Sequence, residues 1–175
     1  MKEKNSRLGS IWNFLRKWSG EILLLAIAAL LIHLWQTRGT ATGEAPELSG
    51  RLLDGSEYTL EQTADSPRLV HFWATWCPVC RLEMETINEL SKSSSVITVA
   101  LKSGDNRDIA DYLKQNDLQF PVISDPLGQL ADRWGVQGVP SSFILDEEGL
   151  IRFVEVGYTT SLGLRLRLWW SEISD

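Results

Sequence analysis

The chain has 175 residues, 43% of them hydrophobic, and a net charge of −6, which suits one domain with an appendage. The charge is unevenly divided: Lys2, Lys4, Arg7, Arg16 and Lys17 against Glu3 give residues 1–20 a net +4, leaving −10 on residues 21–175. An acidic remainder without clustered Lys and Arg argues against nucleic acid as a partner, because phosphate neutralisation requires such clusters.

The basic start, residues 1–20, runs into an apolar stretch from Ile22 to Ile32, followed by His33, Leu34 and Trp35. Trp18 and Trp35 bracket it at seventeen helical steps. At roughly 1.5 Å per step that is about 25 Å, close to the ~30 Å of bilayer hydrocarbon. Residues 21–36 are therefore expected to form an uncleaved transmembrane signal-anchor helix in contact with the lipid bilayer. A cleaved signal peptide is the rival, since Gly39-Thr40-Ala41-Thr42-Gly43 is small enough for processing, and a buried soluble helix is the other alternative. The excess of Lys and Arg before the span puts the N-terminus in the cytoplasm and the remainder outside, where disulfides persist. His33 is expected to snorkel to the interface.

Residues 37–46 read as a Gly, Thr and Ala-rich linker, and residues 47–175 as the folded domain. Leu48 to Leu53, the turn Asp54-Gly55-Ser56 and Glu57 to Leu60 form a hairpin pattern. Arg68 to Trp73, after Pro67, is a short buried strand of branched and aromatic residues. A helix is expected from Cys77 to about Leu90, with Pro78 in its first turn and Cys80, Glu83, Met84, Ile87 and Leu90 on one face.

Cys77 and Cys80, the only cysteines, therefore lie at a strand-to-helix junction. A C-x-x-C pair can close a disulfide ring, hold a soft metal or be inert. A single pair provides only half of a four-ligand zinc site, so no metal is assigned. Amide hydrogens at a helix N-terminus favour a thiolate. Cys77 should then be the exposed attacking sulfur and Cys80, one turn inward, the shielded resolving one. A desolvated Glu83 on the same face would have its pKa raised toward neutrality and could exchange a proton with Cys80.

Val96 to Leu101 is a second buried strand, making a right-handed parallel crossover with the first. Asp105 caps a helix to about Asn116 that presents Ile109, Tyr112 and Leu113 to the sheet. Asp125-Pro126 opens a short helix whose apolar stripe is Leu127, Leu130, Ala131 and Trp134. Ser142 to Leu145 and Leu150 to Val156 form a hairpin about Asp146-Glu147-Glu148-Gly149. The last stretch fits two periods: Leu162, Leu164, Leu166 and Leu168 alternate as a strand would, while Leu162, Leu166, Trp169 and Ile173 fit a helix.

Trp76-Cys77-Pro78-Val79-Cys80 after a strand ending Phe72-Trp73-Ala74, with Gly135-Val136-Gln137-Gly138-Val139-Pro140-Ser141-Ser142-Phe143 some sixty residues later, resembles the thioredoxin superfamily. More narrowly it resembles the membrane-tethered TlpA/DsbE-like thioredoxins and their copper-tolerance ScsD branch. The resemblance covers about residues 45–175. It implies an α/β thioredoxin fold, a central mixed sheet flanked by helices with an N-terminal β-hairpin, and residues 159–173 as the closing helix.

The resemblance also makes Pro140 a cis-proline facing the cysteines and has the backbone of Val139 pair with a bound substrate segment. Trp73 and Trp76 would pack beneath and beside the site, and Glu83 matches the family's C-x-x-C-x-x-E. Pro78-Val79 and Glu85 depart from its usual prolines, so the family's helix kink is not carried over. His71 reads as a hydrogen-bonded core residue. The implied activity is a thiol–disulfide oxidoreductase of the bacterial inner membrane, single-pass with its domain in the periplasm. It needs no cofactor, reduces disulfides of substrate proteins and is re-reduced by a membrane thiol carrier. A disulfide-forming oxidase and a copper-binding or delivery module are the alternatives.

Overall fold

The computed structural model describes residues 20–32, 35–60 and 67–173. The chain divides into two compact units, residues 1–38 and 39–175. In the first, residues 20–32 form helix α1 with Ile22, Leu23, Leu24 and Leu25 exposed. Among the described residues no helix is long and apolar enough to cross a membrane. The basic start, Trp18, and His33 with Leu34 lie outside the described residues.

The second unit runs β1 (Gly43–Glu44), β2 (Ser49–Arg51), β3 (Glu57–Thr59), β4 (Arg68–Trp73), α2 (Pro78–Arg81), α3 (Met84–Ser91) and β5 (Ser95–Leu101). It continues through α4 (Asn106–Gln115), β6 (Val122–Asp125), α5 (Gln129–Arg133), β7 (Ser141–Leu145), β8 (Leu150–Val156) and α6 (Ser161–Ile173). Six strands form one mixed sheet in the order β1-β8-β7-β4-β5-β6. β4, β5 and β6 are parallel, and β7, β8 and β1 add antiparallel on the other side. This is the thioredoxin arrangement, with β4 central and buried along its length.

Alternation along β4 sends Leu69 and Trp73 to one face and Val70 and Phe72 to the other. The first face packs on Cys77, Cys80, Met84 and Ile87, on Ile109 of α4, and on Leu164 and Leu168 of α6. The second packs on Trp134, Val136 and Leu48, where Phe72, Trp134 and Phe143 make three tilted or edge-on ring contacts at 5.0–5.8 Å. β2 and β3 form a separate hairpin whose Asp54 carboxylate accepts from the Ser56 amide and hydroxyl. The α4 helix begins on a reciprocal cap: Asp105 accepts from the Arg107 and Asp108 amides, and Asp108 accepts from the Asp105 amide.

Several expectations change. The single helix over Cys77 to Leu90 is two helices, because the Leu82 and Glu83 amides bond to Val79 and Cys80 three residues back and tighten the turn between α2 and α3. Leu127 is 72% exposed and no part of the stripe, since Pro126, Leu127 and Gly128 form a turn and α5 starts only at Gln129. β1 falls inside the stretch read as linker. Its backbone pairs with β8, a contact that side-chain periodicity does not record. The same segment passes close to Gly135, where a Cβ would stand 1.9 Å from the Gly39 carbonyl oxygen, so only glycine fits. The last stretch resolves as helix.

Candidate active site

Cys77 ends the loop after β4 and is the N-cap of α2, with extended backbone at φ −86°. Cys77 and Cys80 are joined as a disulfide, and Cys77 Sγ accepts the Cys80 amide at 3.1 Å. α2 is only four residues long, so a thiolate at Cys77 would be stabilised by this nearby amide more than by a long helix dipole. The expected contrast in exposure is absent: Cys77 is 3% and Cys80 1% exposed. The loop carrying Val139 and Pro140 covers Cys77. Its Val139 carbonyl lies 3.5 Å from Cys77 Sγ, and the Val139–Pro140 bond is cis.

Trp73 is buried beneath the site and donates through Nε1 to Thr98 Oγ1 at 3.1 Å. Trp76 stands beside it, 58% exposed, with Nε1 donating to the Lys102 carbonyl. The Thr75 amide donates to Ser103 Oγ, so the loop after β5 braces the approach to Cys77 at two points.

Glu83 sits at the turn between α2 and α3 and is 1% exposed. Oε1 accepts the backbone amide of Thr159, and Oε2 has no hydrogen-bond partner among the described residues. Burial pushes this carboxyl up to about 7, with the Thr159 amide holding it back in part. The carboxyl thus bonds to the loop after β8 rather than to either sulfur. That loop also reaches the proline: the Gly157 amide donates to the Pro140 carbonyl at 2.9 Å, with Gly157 at φ +90°. Residues 157–159 therefore tie the proline loop and the buried carboxyl together. Sequence reading had no signal for Thr159 or Gly157, because both act through backbone amides.

His71 is fully buried on β4, with Nδ1 2.9 Å from Ser142 Oγ on β7 and Nε2 without a partner among the described residues. Burial pushes it down to about 3, so it is neutral at working pH. Among the described residues no group of three or more His, Cys, Asp or Glu is placed to hold a metal ion.

A C-x-x-C disulfide at the first turn after a central strand, under a cis-proline loop and above a buried carboxyl, defines a thioredoxin-like thiol–disulfide oxidoreductase. The chain belongs to the Redoxin family, whose model matches residues 40–162. It is 38% identical to a thioredoxin-like protein of Haemophilus influenzae over 69% of this chain and 72% of that one. It is 33% identical to the thiol:disulfide interchange protein DsbE of Escherichia coli over 87% and 88% of the two chains. A DsbE thiol:disulfide interchange protein of known structure from Chlorobium tepidum superposes with a TM-score of 0.68 at 27% identity, covering 75% of this chain and 98% of that one.

Proposed function

We propose that the chain is a membrane-anchored oxidoreductase of the extracytoplasmic face that reduces disulfides of client proteins through Cys77 and Cys80. The observation that supports the exchange chemistry in this reading is the Cys77–Cys80 disulfide under the cis-proline loop, with the buried Glu83 carboxyl, pushed up to about 7, one turn after Cys80. A group half ionised near neutral pH can take a proton from the Cys80 thiol, which is what the resolving step requires.

In the reduced enzyme the Cys77 thiolate attacks one sulfur of the client disulfide, and the displaced client thiolate takes up a proton. The Cys77–client mixed disulfide is then attacked by the Cys80 sulfur, whose proton passes to the Glu83 carboxylate. The second client thiol leaves and the Cys77–Cys80 disulfide forms. Two electrons have moved from enzyme to client. Exposed Trp76 and the Val139 backbone flank the sulfurs and would hold the client segment as an added strand. A membrane thiol carrier would return the electrons by the same exchange in reverse.

The anchor rests on the Trp-bracketed apolar run and the Lys and Arg before it, with residues 21–36 as the span, a short tether behind it and the domain following. A protein left in the membrane after alkaline carbonate washing supports it. Release of a shortened chain supports a cleaved signal instead.

The reduction potential of the Cys77–Cys80 couple, titrated in the full chain against glutathione and dithiothreitol, tests the direction. A value near the roughly −270 mV of thioredoxin supports the reductant, and one near the roughly −120 mV of a strong oxidant overturns it in favour of disulfide formation. Tight Cu(I) binding without a reversible disulfide overturns both.

A further inference from the structure

The last helix has two apolar faces. Leu164, Leu168 and Ser171 of α6 are buried against the sheet. Leu162, Leu166, Trp169, Trp170 and Ile173 point the other way and are 52–66% exposed. At 100° per residue these five fall within about 100° of arc, opposite the buried stripe. A helix that is apolar on both sides needs cover on both.

We propose that a second copy of this chain provides the cover, with the two α6 helices packed antiparallel about a twofold axis. The spacing of Leu162, Leu166, Trp169 and Ile173 is four, three and four residues, the seam of a two-helix coil. An antiparallel pairing centred between Leu166 and Trp169 sets Leu162 against the partner's Ile173 and Leu166 against the partner's Trp169. The seam is therefore complementary to itself, as a twofold interface requires.

Two further positions agree with that register. Arg165 and Glu172 lie on the same edge of the seam, and neither joins an ion pair among the described residues. In the antiparallel pair each Arg165 faces the partner's Glu172, giving two ion pairs per dimer. On the other edge Trp170 comes to lie beside the partner's Gly163. A parallel pairing would bring opposite edges of the two helices together, setting Arg165 against the Trp170 edge of the partner and leaving the Arg165 and Glu172 charges apart.

The exposed parts of the five side chains amount to roughly 600 Å² per copy, taking 150–250 Å² for each large side chain. About 1,200 Å² in total is at the lower edge of specific interfaces, so the dimer is a reversible one. A lipid surface is the less suitable occupant: residues 21–175 carry −10, and of the two arginines on α6 Arg167 is already paired with Glu155 at 2.6 Å.

The test is sedimentation velocity of the full chain in detergent from micromolar to near-millimolar concentration. The wild type is expected to pass from monomer to dimer, and Leu166→Glu to remain monomeric. Arg165→Glu should raise the dissociation constant roughly tenfold, because twofold symmetry counts each substitution twice, and adding Glu172→Arg should restore it to within about threefold. All variants should retain thiol exchange, which verifies their folding, since none of these side chains touches the cysteines. Three results overturn the proposal: a monomer at every concentration, a dimer that survives Leu166→Glu, or a double reversal as weak as the single one. In a chain with Trp18 and Trp35 both replaced by Phe, quenching by brominated phosphatidylcholine vesicles that falls when Trp169 and Trp170 are also replaced by Gln places the face on lipid and likewise overturns it.

Discussion

The side-chain carboxyl of Glu83 accepts a hydrogen bond from the backbone amide of Thr159, 76 positions later in the chain. One oxygen is satisfied in this way and the other is buried without a partner, so the ionised form is held at a cost and the carboxyl titrates near neutrality. Cys80 lies one turn earlier on the same chain segment. The bond therefore links the loop after β8 to the group proposed above to take the proton of the resolving thiol.

Glu83→Gln should leave the fold intact and slow the resolving step by roughly a hundredfold at pH 7.5, the lower end for general base catalysis. In the wild type the rate should rise with pH through about 7 as the carboxyl ionises, and in the variant that inflection should vanish. Stopped-flow tryptophan fluorescence of mixed-disulfide decay across pH 5.5–8.5 makes the measurement. An unchanged inflection removes Glu83 from the proton transfer.

The same group makes stability depend on pH, with a sign opposite to the usual carboxylate. Its folded pKa lies above its unfolded value of 4.5, so its contribution is complete below about 4.5 and is lost as pH rises through about 7. His71 acts in the other direction: its folded pKa is lowered from 6.5 to about 3, so its contribution is present above about 6.5 and is lost as pH falls toward 3. Each is worth about 1.4 kcal/mol per pH unit, and the two slopes cancel between about pH 4.5 and 6.5. Urea denaturation of the oxidised protein should show that plateau. Glu83→Gln should expose a stability that climbs with pH over this window, and His71→Asn one that falls.

Trp76→Ala should raise KM for a disulfide-bearing peptide severalfold while kcat changes little, because the exposed indole offers stacking surface and its only described bond is to the Lys102 carbonyl. Steady-state turnover with a fluorescent disulfide peptide separates the two constants. An equal fall in both kcat and kcat/KM would mean that Trp76 acts in the transition state instead.

Asp105→Ala should cost about 1 kcal/mol of stability, the usual loss of an N-cap, since it removes the acceptor for two amides at the start of α4. Asp108→Ala should cost less, because it satisfies a single amide. Both variants should keep the wild-type exchange rate, as measured alongside their denaturation midpoints.

Local signals were enough to recognise the redox centre from the residues alone. Cys77 and Cys80 straddle a first helical turn because Pro78 suits it, Arg68 to Trp73 is apolar enough to be buried on both faces, and Asp105 marks its helix by a short-range hydrogen bond. These depend on neighbours within a few positions, and sequence records them directly. The raised carboxyl of Glu83 was legible for the same reason, as an acid on an apolar helix face. What tertiary structure decided depends on partners far apart in the chain or on the backbone. Thr159 and Gly157 contribute amides that any residue type carries. The burial of Cys77 is set by a loop 62 positions away. Leu162 through Ile173 held two periods at once, and only packing could show that Leu164 and Leu168 face the sheet while the Leu162 and Trp169 stripe faces outward, because periodicity reports that a face exists and not what covers it.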